Sequence, residues 1–280
     1  MKHPSEPSVA QARTGTDPAP GVDKTLTKGL LLIEALCRSP RSRGVSDLAS
    51  ELSLTKSNVH RLLQTLISSG FVSREAGSDR YILTSKLWRL SRLQRPHDTL
   101  AASVRPLLSE LVTVTGETAS FAIVEENTVI WIDQVETRHT VRVYFSVGDS
   151  HPLDQIVKSG RGVGAFQQVA YAFRPEAEVR RSLEAIGRDL GRPAAFIDEQ
   201  VARVQAVRRD GYAVVEGEWI DGVNAVAVPV PGRVGDLVGI VISFGPAHRL
   251  TGGTLDLVRR ATCDMAGRLT DTLFGAGKSE

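Results

Sequence analysis

The sequence predicts a two-domain protein of the α+β class. Its 280 residues exceed the usual size of a single domain. Strand-like runs in the second half follow one another as hairpins, and helical patterns are grouped between and after them, which is typical of an antiparallel sheet. Charge is also divided, because residues 24–95 carry a net charge of +8 and residues 96–280 carry −5. A basic segment joined to an acidic one predicts a polyanion-binding module fused to a domain of another kind.

The composition excludes several other classes of protein. With 41% hydrophobic and 24% charged residues, the chain is typical of a globular protein. It has neither an apolar run of about 20 residues nor a start like that of a signal peptide, so we expect a cytoplasmic protein without membrane contact. The two cysteines, Cys37 and Cys263, lie too far apart in sequence for a paired-cysteine zinc site, and we expect both to be buried. Residues 1–23 are rich in Pro, Ser, Thr and Ala and predict a disordered tail.

Helix signals begin directly after this tail. Apolar residues recur with helical spacing over residues 26–37. Ser46 is an N-cap candidate for a short second helix, and Thr55 is one for a longer third helix. Gly70 is expected to end the third helix. Two capped helices a few residues apart are typical of a helix-turn-helix unit.

The segment "LTKSNVHRLLQTLISSGF", residues 54–71, predicts an amphipathic helix. At about 100° per residue, its apolar side chains fall within one arc: Val59, Leu62, Leu63, Leu66 and Ile67. The opposite face has hydrogen-bonding side chains and one guanidinium, and no acidic residue occurs over residues 52–73. Phosphates repel carboxylates, whereas Arg, Gln, Asn and Ser meet base edges or phosphate oxygens. This face is therefore typical of a DNA-recognition helix.

A basic hairpin is predicted after this helix, because "FVSR" and "RYIL" flank the loop "EAGSD". Residues 24–84 are therefore interpreted as a winged helix-turn-helix domain. The candidate DNA-binding residues are Ser46, Lys56, Ser57, Asn58, His60, Arg61, Gln64, Arg74 and Arg80. Ser57 and Arg61 are the best candidates for base or phosphate contact. The alternative is a helical packing module whose outer face is merely polar.

Two further parts of the chain follow. "LTSKLWRLSRLQRP" predicts a linker helix over residues 85–97 that dimerises or relays a signal. Residues 98–275 are expected to form an antiparallel α+β domain. A helix near its start precedes three strand-like runs, "ETASFAIV", "TVIWIDQV" and "TVRVYFS". Helical stretches follow, with Asp198 as a cap and Gly211 as a stop. Two more strands, "VNAVAVPV" and "DLVGIVISF", and a last helix complete the domain.

Several strings resemble the IclR family of bacterial transcriptional regulators, and the resemblance covers residues 24–274. "SDLASELSLTKSNVHRLLQTLISSGFV" looks like the helix-turn-helix of that family, and "TGETASFAIVEENTVIWIDQVE", "GYAVVEGEWIDGVNAVAVPV" and "SFGPAHRL" look like its ligand-binding domain. Their order and spacing together are specific. The resemblance implies a GAF-like effector-binding domain, a homodimer or homotetramer, a partly palindromic double-stranded DNA operator and control by a small organic effector. It implies neither a cofactor nor catalysis.

The resemblance also implies an effector pocket with an apolar lining. The positions similar to ligand contacts of the family are Val143, Val215, Val223, Ala225, Ile242 and Phe244. For the polar end of the ligand, we expect contacts with Ser159, Gly160 and Arg161 at a helix N-terminus. In "PLDQIVKSGRG" this chain departs from the family, because Asp154 stands at a histidine position and one extra residue precedes Gly160. An apolar lining favours an effector with an aromatic or aliphatic body over a small, highly charged acid. Ile242 and Phe244 stand at positions that commonly carry serine in the family, and Ser243 replaces a missing serine if a bulge shifts the strand register.

Other patterns are weaker. "GRGVG", residues 160–164, resembles a phosphate-binding loop, but no Lys-Ser or Lys-Thr follows, so we interpret it as the start of a helix. The histidines have no metal-ligand spacing. Trp131 and Trp219 are core or interface candidates, and ligand stacking is a second possibility for Trp219. Two alternatives to an effector-controlled regulator stay open: a small-acid-metabolising enzyme with a basic oligomerisation arm, and a ligand-independent regulator.

Overall fold

The structure, a computed structural model, describes residues 22–39, 41–91, 96–155 and 161–274. The chain divides into two compact units, Met1–Arg95 and Pro96–Glu280, each with its own hydrophobic core. Most of the predicted tail, residues 1–21, lies outside the described residues. Its last residue belongs to the first unit, because the Asp23 carboxylate accepts hydrogen bonds from the backbone N–H groups of Thr25 and Leu26 at 2.8 and 2.9 Å. Asp23 therefore caps the first helix.

The first unit is a winged helix-turn-helix. Its elements are α1 (Lys24–Cys37), β1 (Arg43–Gly44), α2 (Val45–Glu51), α3 (Lys56–Ser68), β2 (Val72–Arg74), β3 (Arg80–Leu83) and α4 (Lys86–Ser91). The strands form an antiparallel sheet in the order β1-β3-β2, so the predicted hairpin gains a short third strand. Helices α1, α2 and α3 bury Leu32, Leu48 and Leu63 in one cluster with Tyr81 of β3. The wing is thus tied to the helices by a shared core.

The two predicted N-caps of this unit have different outcomes. Thr55 caps α3, since its Oγ1 accepts a hydrogen bond from the backbone N–H of Asn58 at 3.3 Å. The prediction for Ser46 was wrong, because Gly44 is the N-cap of α2 and Ser46 lies exposed in the first helical turn. Gly44 pairs with Arg80 in the sheet, which holds the chain extended up to that residue, and the helix begins immediately afterwards.

The second unit is an α+β sandwich built on one antiparallel sheet. Its elements are α5 (Pro96–Thr115), β4 (Thr118–Glu125), β5 (Thr128–Val135), β6 (Ser150–Pro152), α6 (Ala165–Ala172), α7 (Glu176–Asp189), α8 (Ala194–Asp210), β7 (Ala213–Glu216), β8 (Val223–Pro231), β9 (Leu237–Pro246) and α9 (Gly252–Phe274). The strand order is β6-β5-β4-β9-β8-β7. The predicted fold class is therefore confirmed.

Successive side chains of the strands point to opposite faces of the sheet, and each face has its own hydrophobic core. On β4, Phe121 and Ile123 belong to the core formed with α5 and α9, whereas Ala122 belongs to the core formed with α6 to α8. On β9, Val241 faces the first core, and Ile242 faces the second. Because side chains of a strand alternate between faces, a strand covered on both sides reads as a nearly continuous apolar run.

In the second unit one predicted strand is absent, and two strands were missed. The run "TVRVYFS" forms no strand, and residues 136–149 are irregular. Its β-branched and aromatic composition was misleading, because β-propensity reflects the fit of side chains to a surface and not a backbone preference alone. Val143 and Phe145 of this run pack individually against the core next to α6. The short strand β6 follows instead at Ser150–Pro152, and β7 at Ala213–Glu216 was not predicted.

Three smaller expectations also changed. Asp198 is not a helix cap, because α8 begins at Ala194 after Pro193, and its carboxylate pairs with Arg180 at 3.0 Å. Cys37 is exposed and Cys263 is half-buried, so the expectation of two buried cysteines was wrong. Gly211 does end α8, in the left-handed conformation with φ of 78°. None of the helices in the described ranges is long and apolar enough to span a membrane.

Candidate functional site

The exposed side of α3 collects the predicted DNA contacts. Lys56, Ser57, His60, Arg61 and Gln64 are all exposed, and we call these five residues the recognition face. The opposite side of the helix is buried in the core of the first unit. This arrangement follows from helical periodicity, which brings residues three and four positions apart onto one side.

Asn58 lies at the flank of this face and is half-buried. Its side-chain Oδ1 is buried and has no hydrogen-bond partner among the described residues. Its backbone N–H is taken by the Thr55 cap. Asn58 is therefore less accessible than its neighbours on the recognition face. Only part of its side-chain carboxamide is available for the predicted contact with the DNA backbone near the start of the helix.

The two wing arginines have different surroundings. Arg74 forms an ion pair with Asp79 across the hairpin loop, and both side chains are largely exposed. The Arg80 guanidinium donates to the Ser42 carbonyl oxygen, from Nε at 3.0 Å and from Nη2 at 2.6 Å, and lies 3.7 Å from Asp47. Arg80 therefore braces the wing against the segment before α2, whereas Arg74 is held only by a surface pair.

A negative charge also lies close to the wing. The Ser42 and Ser78 hydroxyls donate to the Glu75 carboxylate at 2.8 and 2.9 Å. These hydrogen bonds lower the pKa of Glu75, the Ser42 bond most, followed by the Ser78 bond. The carboxylate remains ionised near neutral pH, so the wing carries charges of both signs.

The second unit contains a small apolar cavity at the sheet face covered by α6. Five of the positions predicted as ligand contacts line it: Val215, Val223, Ala225, Ile242 and Phe244. They come together through strand register, because Val215 of β7 pairs with Ala225 of β8, which pairs in turn with Phe244 of β9. The free volume is about 20 Å³, which accommodates roughly one water molecule.

The other predicted pocket residues lie elsewhere. Val143 packs against the same core without lining the cavity, and Ser159 and Gly160 fall outside the described residues. The Arg161 guanidinium donates to the Gly217 carbonyl oxygen at 3.3 Å and is 3.7 Å from Asp221. It is not at a helix N-terminus as predicted, since α6 begins at Ala165.

Ser243 cannot act as a pocket serine in this register. Its hydroxyl is 2.9 Å from the Thr262 hydroxyl of α9, on the opposite side of the sheet from the cavity. No register shift occurs near Ser243 in the pairing of β9 with β4 or with β8. The lining thus stays apolar on its strand side.

Aromatic side chains complete the cavity, and two of them, Phe145 and Phe166, were not predicted. The remaining lining residues are Trp131, Phe145, Ala165, Phe166, Trp219 and Ile220. The Phe166 and Trp219 rings meet edge to face with centroids 4.8 Å apart. Both indole N–H groups, of Trp131 and of Trp219, are buried without a hydrogen-bond partner among the described residues. Stacking by Trp219 was considered from the sequence, but no local pattern marked Phe145 or Phe166.

A glycine and a histidine shape the edge of this aromatic cluster. Gly164 is the N-cap of α6, and a Cβ there would lie 3.0 Å from both the Phe166 and the Trp219 rings. Its N–H donates to Gln167 Oε1 at 2.8 Å. Residues 161–164 thus lead into the helix that begins at Ala165, as expected for the last part of "GRGVG". The His151 ring packs against Trp219 with centroids 5.4 Å apart, and burial lowers its pKa.

Charged groups are not brought together as an active site. Among the described residues, no three His, Cys, Asp or Glu side chains converge as ligands for a metal ion. Glu125 ends β4 and Glu126 lies in the turn to β5. The fold and the exposed recognition helix together define a regulator with a helix-turn-helix domain and a separate α+β unit.

Comparison with known proteins identifies the family. Residues 25–76 match the IclR helix-turn-helix domain, and residues 96–269 match the bacterial transcriptional regulator IclR C-terminal domain. The chain belongs to the IclR family of bacterial transcriptional regulators. It is 28% identical over 243 residues to the HTH-type transcriptional regulator KdgR of Dickeya chrysanthemi, covering 86% of this chain and 77% of that protein. The matched relatives are transcriptional regulators and not enzymes, which confirms the prediction of a regulator.

Solved structures have the same fold. An IclR transcriptional regulator from Alicyclobacillus acidocaldarius is 26% identical and superposes with a TM-score of 0.69, covering 90% of this chain and 99% of that one. An IclR homologue from Microbacterium hydrocarbonoxydans, solved as a complex with 4-hydroxybenzoate, is 17% identical. The two chains superpose with a TM-score of 0.69, and the match covers 89% of this chain and 99% of that homologue. At that identity the likeness concerns the fold alone.

Proposed function

We propose that this regulator binds a double-stranded DNA operator through the recognition face of α3 and that a small organic effector in the cavity of the second unit changes operator affinity. The proposal includes a homodimer or homotetramer acting in the cytoplasm. The expected coupling free energy between the two sites is about 1–3 kcal/mol. In this proposal, effector binding changes the relative placement of the recognition helices of two subunits, and this change couples the two sites.

The proposal of DNA binding rests on the chemistry of the recognition face. Its side chains are two cations, a hydroxyl, an imidazole and a carboxamide, all exposed on one side of α3. α3 itself contains no acidic residue. Such groups donate hydrogen bonds to base edges in the major groove and neutralise phosphates. In this proposal Ser57 and Arg61 contact bases or phosphates, and Lys56 and Asn58 hold the DNA backbone near the helix start.

The two wing arginines and Ser46 have supporting roles. Arg74 neutralises a neighbouring phosphate, since its surface pair with Asp79 is weak and is readily exchanged. Arg80 acts mainly by bracing the wing through Ser42. Ser46 is exposed in the first turn of α2, where a hydroxyl can meet a phosphate.

The apolar cavity supports an effector with an aromatic or aliphatic body. Aliphatic and aromatic side chains surround it, and burial of ligand surface there is favourable by about 25 cal/mol per Å². A small, highly charged acid would lose its hydration and find no cationic partner among the lining residues. The Microbacterium homologue of the same fold was solved with 4-hydroxybenzoate, which is an aromatic compound of this kind.

The DNA proposal is tested by a mobility-shift assay with operator DNA found by footprinting. Arg61→Ala should weaken binding by about 1–3 kcal/mol, because a guanidinium contact to a base or phosphate is removed. Arg38→Ala is the matched control, since this exposed cation at the C-cap of α1 pairs with Glu34 and is not part of the recognition face. Equal affinities of wild type and Arg61→Ala, with intact circular dichroism, would contradict the role of Arg61.

The effector proposal is tested by calorimetry with candidate metabolites, followed by mobility shift in the presence of each binder. We expect compounds with an aromatic or aliphatic body to bind and to raise the melting temperature. A screen in which only two- or three-carbon acids bind would contradict the apolar-effector proposal. A protein whose melting temperature responds to no metabolite would instead favour the ligand-independent regulator.

A further inference from the structure

The cavity of the second unit already contains an aromatic ring supplied by the protein. Phe145 lies on the irregular segment between β5 and β6. The centroid of its ring is 4.9 Å from that of Trp131, 5.2 Å from that of Phe244 and 5.5 Å from that of Trp219. The ring thus sits among lining residues of two strands and of the loop before β8.

The space that remains is too small for an effector with an aromatic body. The free volume of about 20 Å³ holds roughly one water molecule, whereas an apolar cavity of about 150 Å³ accepts benzene. The strand side of the cavity is fixed by the ladder that joins Val215, Ala225 and Phe244. Room for a ring therefore has to come from side chains outside the sheet. Phe166 is held in α6, and Trp219 and Ile220 lie on the short loop that joins the paired strands β7 and β8. Phe145 is the least buried ring and lies on the longest irregular segment at the cavity, so it is the side chain most readily moved.

The segment that carries Phe145 is bonded to the sheet mainly at its two ends. Residues 136–149 form no strand, but the Thr137 N–H donates to Thr118 Oγ1 at 3.3 Å, and the Gly148 N–H donates to the Trp131 carbonyl oxygen at 2.8 Å. Few bonds hold the part between these ends. The Phe145 backbone N–H donates to the Gln134 side chain at 3.2 Å, and Arg249 donates to the Val141 carbonyl oxygen at 2.9 Å. The neighbouring side chains of Val141, Tyr144 and Val147 are exposed. Segments with few buried contacts and few ladder bonds open at low free energy.

Two hydrogen-bond donors in the lining also lack acceptors. Trp131 is 2% exposed and Trp219 is 9% exposed, and neither indole N–H has a partner among the described residues. Buried donors are almost always paired, because an unpaired one has lost its water without replacement. A ligand oxygen that accepts from these indoles would remove that penalty. Phe145 has no such atom in its side chain.

We infer that Phe145 is an internal plug of the effector cavity, and that the effector is a monocyclic aromatic compound with an oxygen acceptor whose ring replaces that of Phe145. The indole N–H groups of Trp131 and Trp219 donate to the oxygen. This inference rests on the proposed function, because it assigns the effector to this cavity. Binding displaces the middle of this segment, residues 138–147, which is the structural change that the effector imposes on its own unit.

The experiment is calorimetry on the full chain with two probes, benzoate and toluene. Phe145→Ala should bind benzoate about tenfold more tightly than wild type does, because the fraction of protein with an open cavity rises. Tyr144→Ala is the matched control, since it removes a neighbouring ring that is 56% exposed and should leave the affinity unchanged. Phe145→Leu is the second variant if Phe145→Ala does not fold, and it should show a smaller gain.

The indole donors are tested in the open-cavity background. Adding Trp219→Phe keeps an aromatic ring and removes the N–H, so benzoate should bind severalfold more weakly while toluene binding should hardly change. An equal loss for the two probes would overturn the hydrogen-bond assignment. The plug assignment is overturned if the Phe145 variants bind benzoate no better than wild type or bind neither probe.

These outcomes are distinct from failure of the proposed function. If a metabolite of another class changes operator affinity while no variant binds benzoate, the plug inference fails and effector control stands. If Phe145→Ala binds benzoate but no metabolite changes operator affinity, effector control fails and the inferred plug stands.

Discussion

The Glu117 carboxylate and the Arg249 guanidinium form a two-point ion pair, with Nε to Oε1 at 2.7 Å and Nη2 to Oε2 at 2.8 Å. The pair joins the residue before β4 to the turn after β9, across 132 positions of sequence. The Glu117 side chain is 4% exposed. Gly245 makes room for it, because a Cβ at that position would overlap the carboxylate. The two central strands are therefore clamped at one end by charge as well as by their ladder.

Glu117→Gln should lower the free energy of unfolding of the second unit by about 1.5–3 kcal/mol, because the half-buried Arg249 guanidinium loses its charged hydrogen-bond partner. Urea denaturation followed by tryptophan fluorescence measures the loss. Asp198→Asn serves as the control, because it breaks the exposed Arg180 pair in the same unit and should cost less than about 1 kcal/mol. Equal losses for the two variants would mean that the Glu117 pair acts like a surface pair.

Two glycines of the second unit should respond to alanine with opposite signs. A Cβ on Gly239 of β9 would overlap the Phe121 ring, so Gly239→Ala should destabilise by about 1–3 kcal/mol through overpacking. Gly267 is exposed within α9, and a Cβ there meets nothing within 4 Å. Gly267→Ala should stabilise by about 0.5–1 kcal/mol, because alanine is the better helix former. Melting temperatures check both, and a rise for Gly239→Ala would refute the close contact with Phe121.

The buried His151 should make the second unit less stable in mild acid. Burial lowers its pKa below the ordinary value of 6.5. As pH falls through 6.5, the unfolded chain takes up a proton at this position that the folded chain resists, so the free energy of unfolding decreases. This loss of stability is absent well above pH 6.5. It grows as the pH falls, until the pH reaches the lowered pKa of His151 in the folded state.

The measurement is the free energy of unfolding between pH 7 and pH 5 in wild type and in His151→Gln. The variant should have the shallower dependence on pH. His248→Gln is the control in the same unit, because this histidine is exposed. A slope in His151→Gln identical to that of wild type would contradict the prediction.

The wing arginines should separate DNA binding from folding. Arg80→Ala removes the donors to the Ser42 carbonyl oxygen and should destabilise the first unit by about 1–3 kcal/mol. Arg74→Ala breaks only an exposed pair, so stability should hardly change. If Arg74 neutralises a phosphate, the slope of log affinity against log salt should decrease by about 1. Salt titrations of operator binding and thermal melts distinguish the two roles, and identical effects of the two variants would contradict this division.

The recognition helix could be derived from local sequence, and the residues show why. Helical periodicity separates Val59 and Leu63 from Ser57 and Arg61 whatever the rest of the chain does. The Thr55 cap involves a hydrogen bond spanning three residues. The cap predicted at Ser46 failed for a non-local reason, since the pairing of Gly44 with Arg80 decides where α2 begins.

The cavity illustrates the other case. The resemblance to a family predicted Val215, Ala225 and Phe244 as ligand contacts. These three residues lie side by side only because of the register of strands β7, β8 and β9. Phe145 was read as part of a strand, because its run has strand-like composition. Its position between Trp131 and Phe244 could not be derived from that run, because the contact partners come from strands that precede and follow it by many residues.

The amino-acid sequence by itself determined the two-part organisation, the antiparallel α+β class and the polar side of α3, because charge distribution and short-range periodicity are written into neighbouring residues. Only the tertiary structure decided that Phe145 fills the cavity, that two indole donors stay unpaired beside it and that Glu117 meets Arg249. Each of these features depends on contacts between residues that are distant in sequence. Their relative positions are fixed only when the whole sheet has formed and both of its faces are packed.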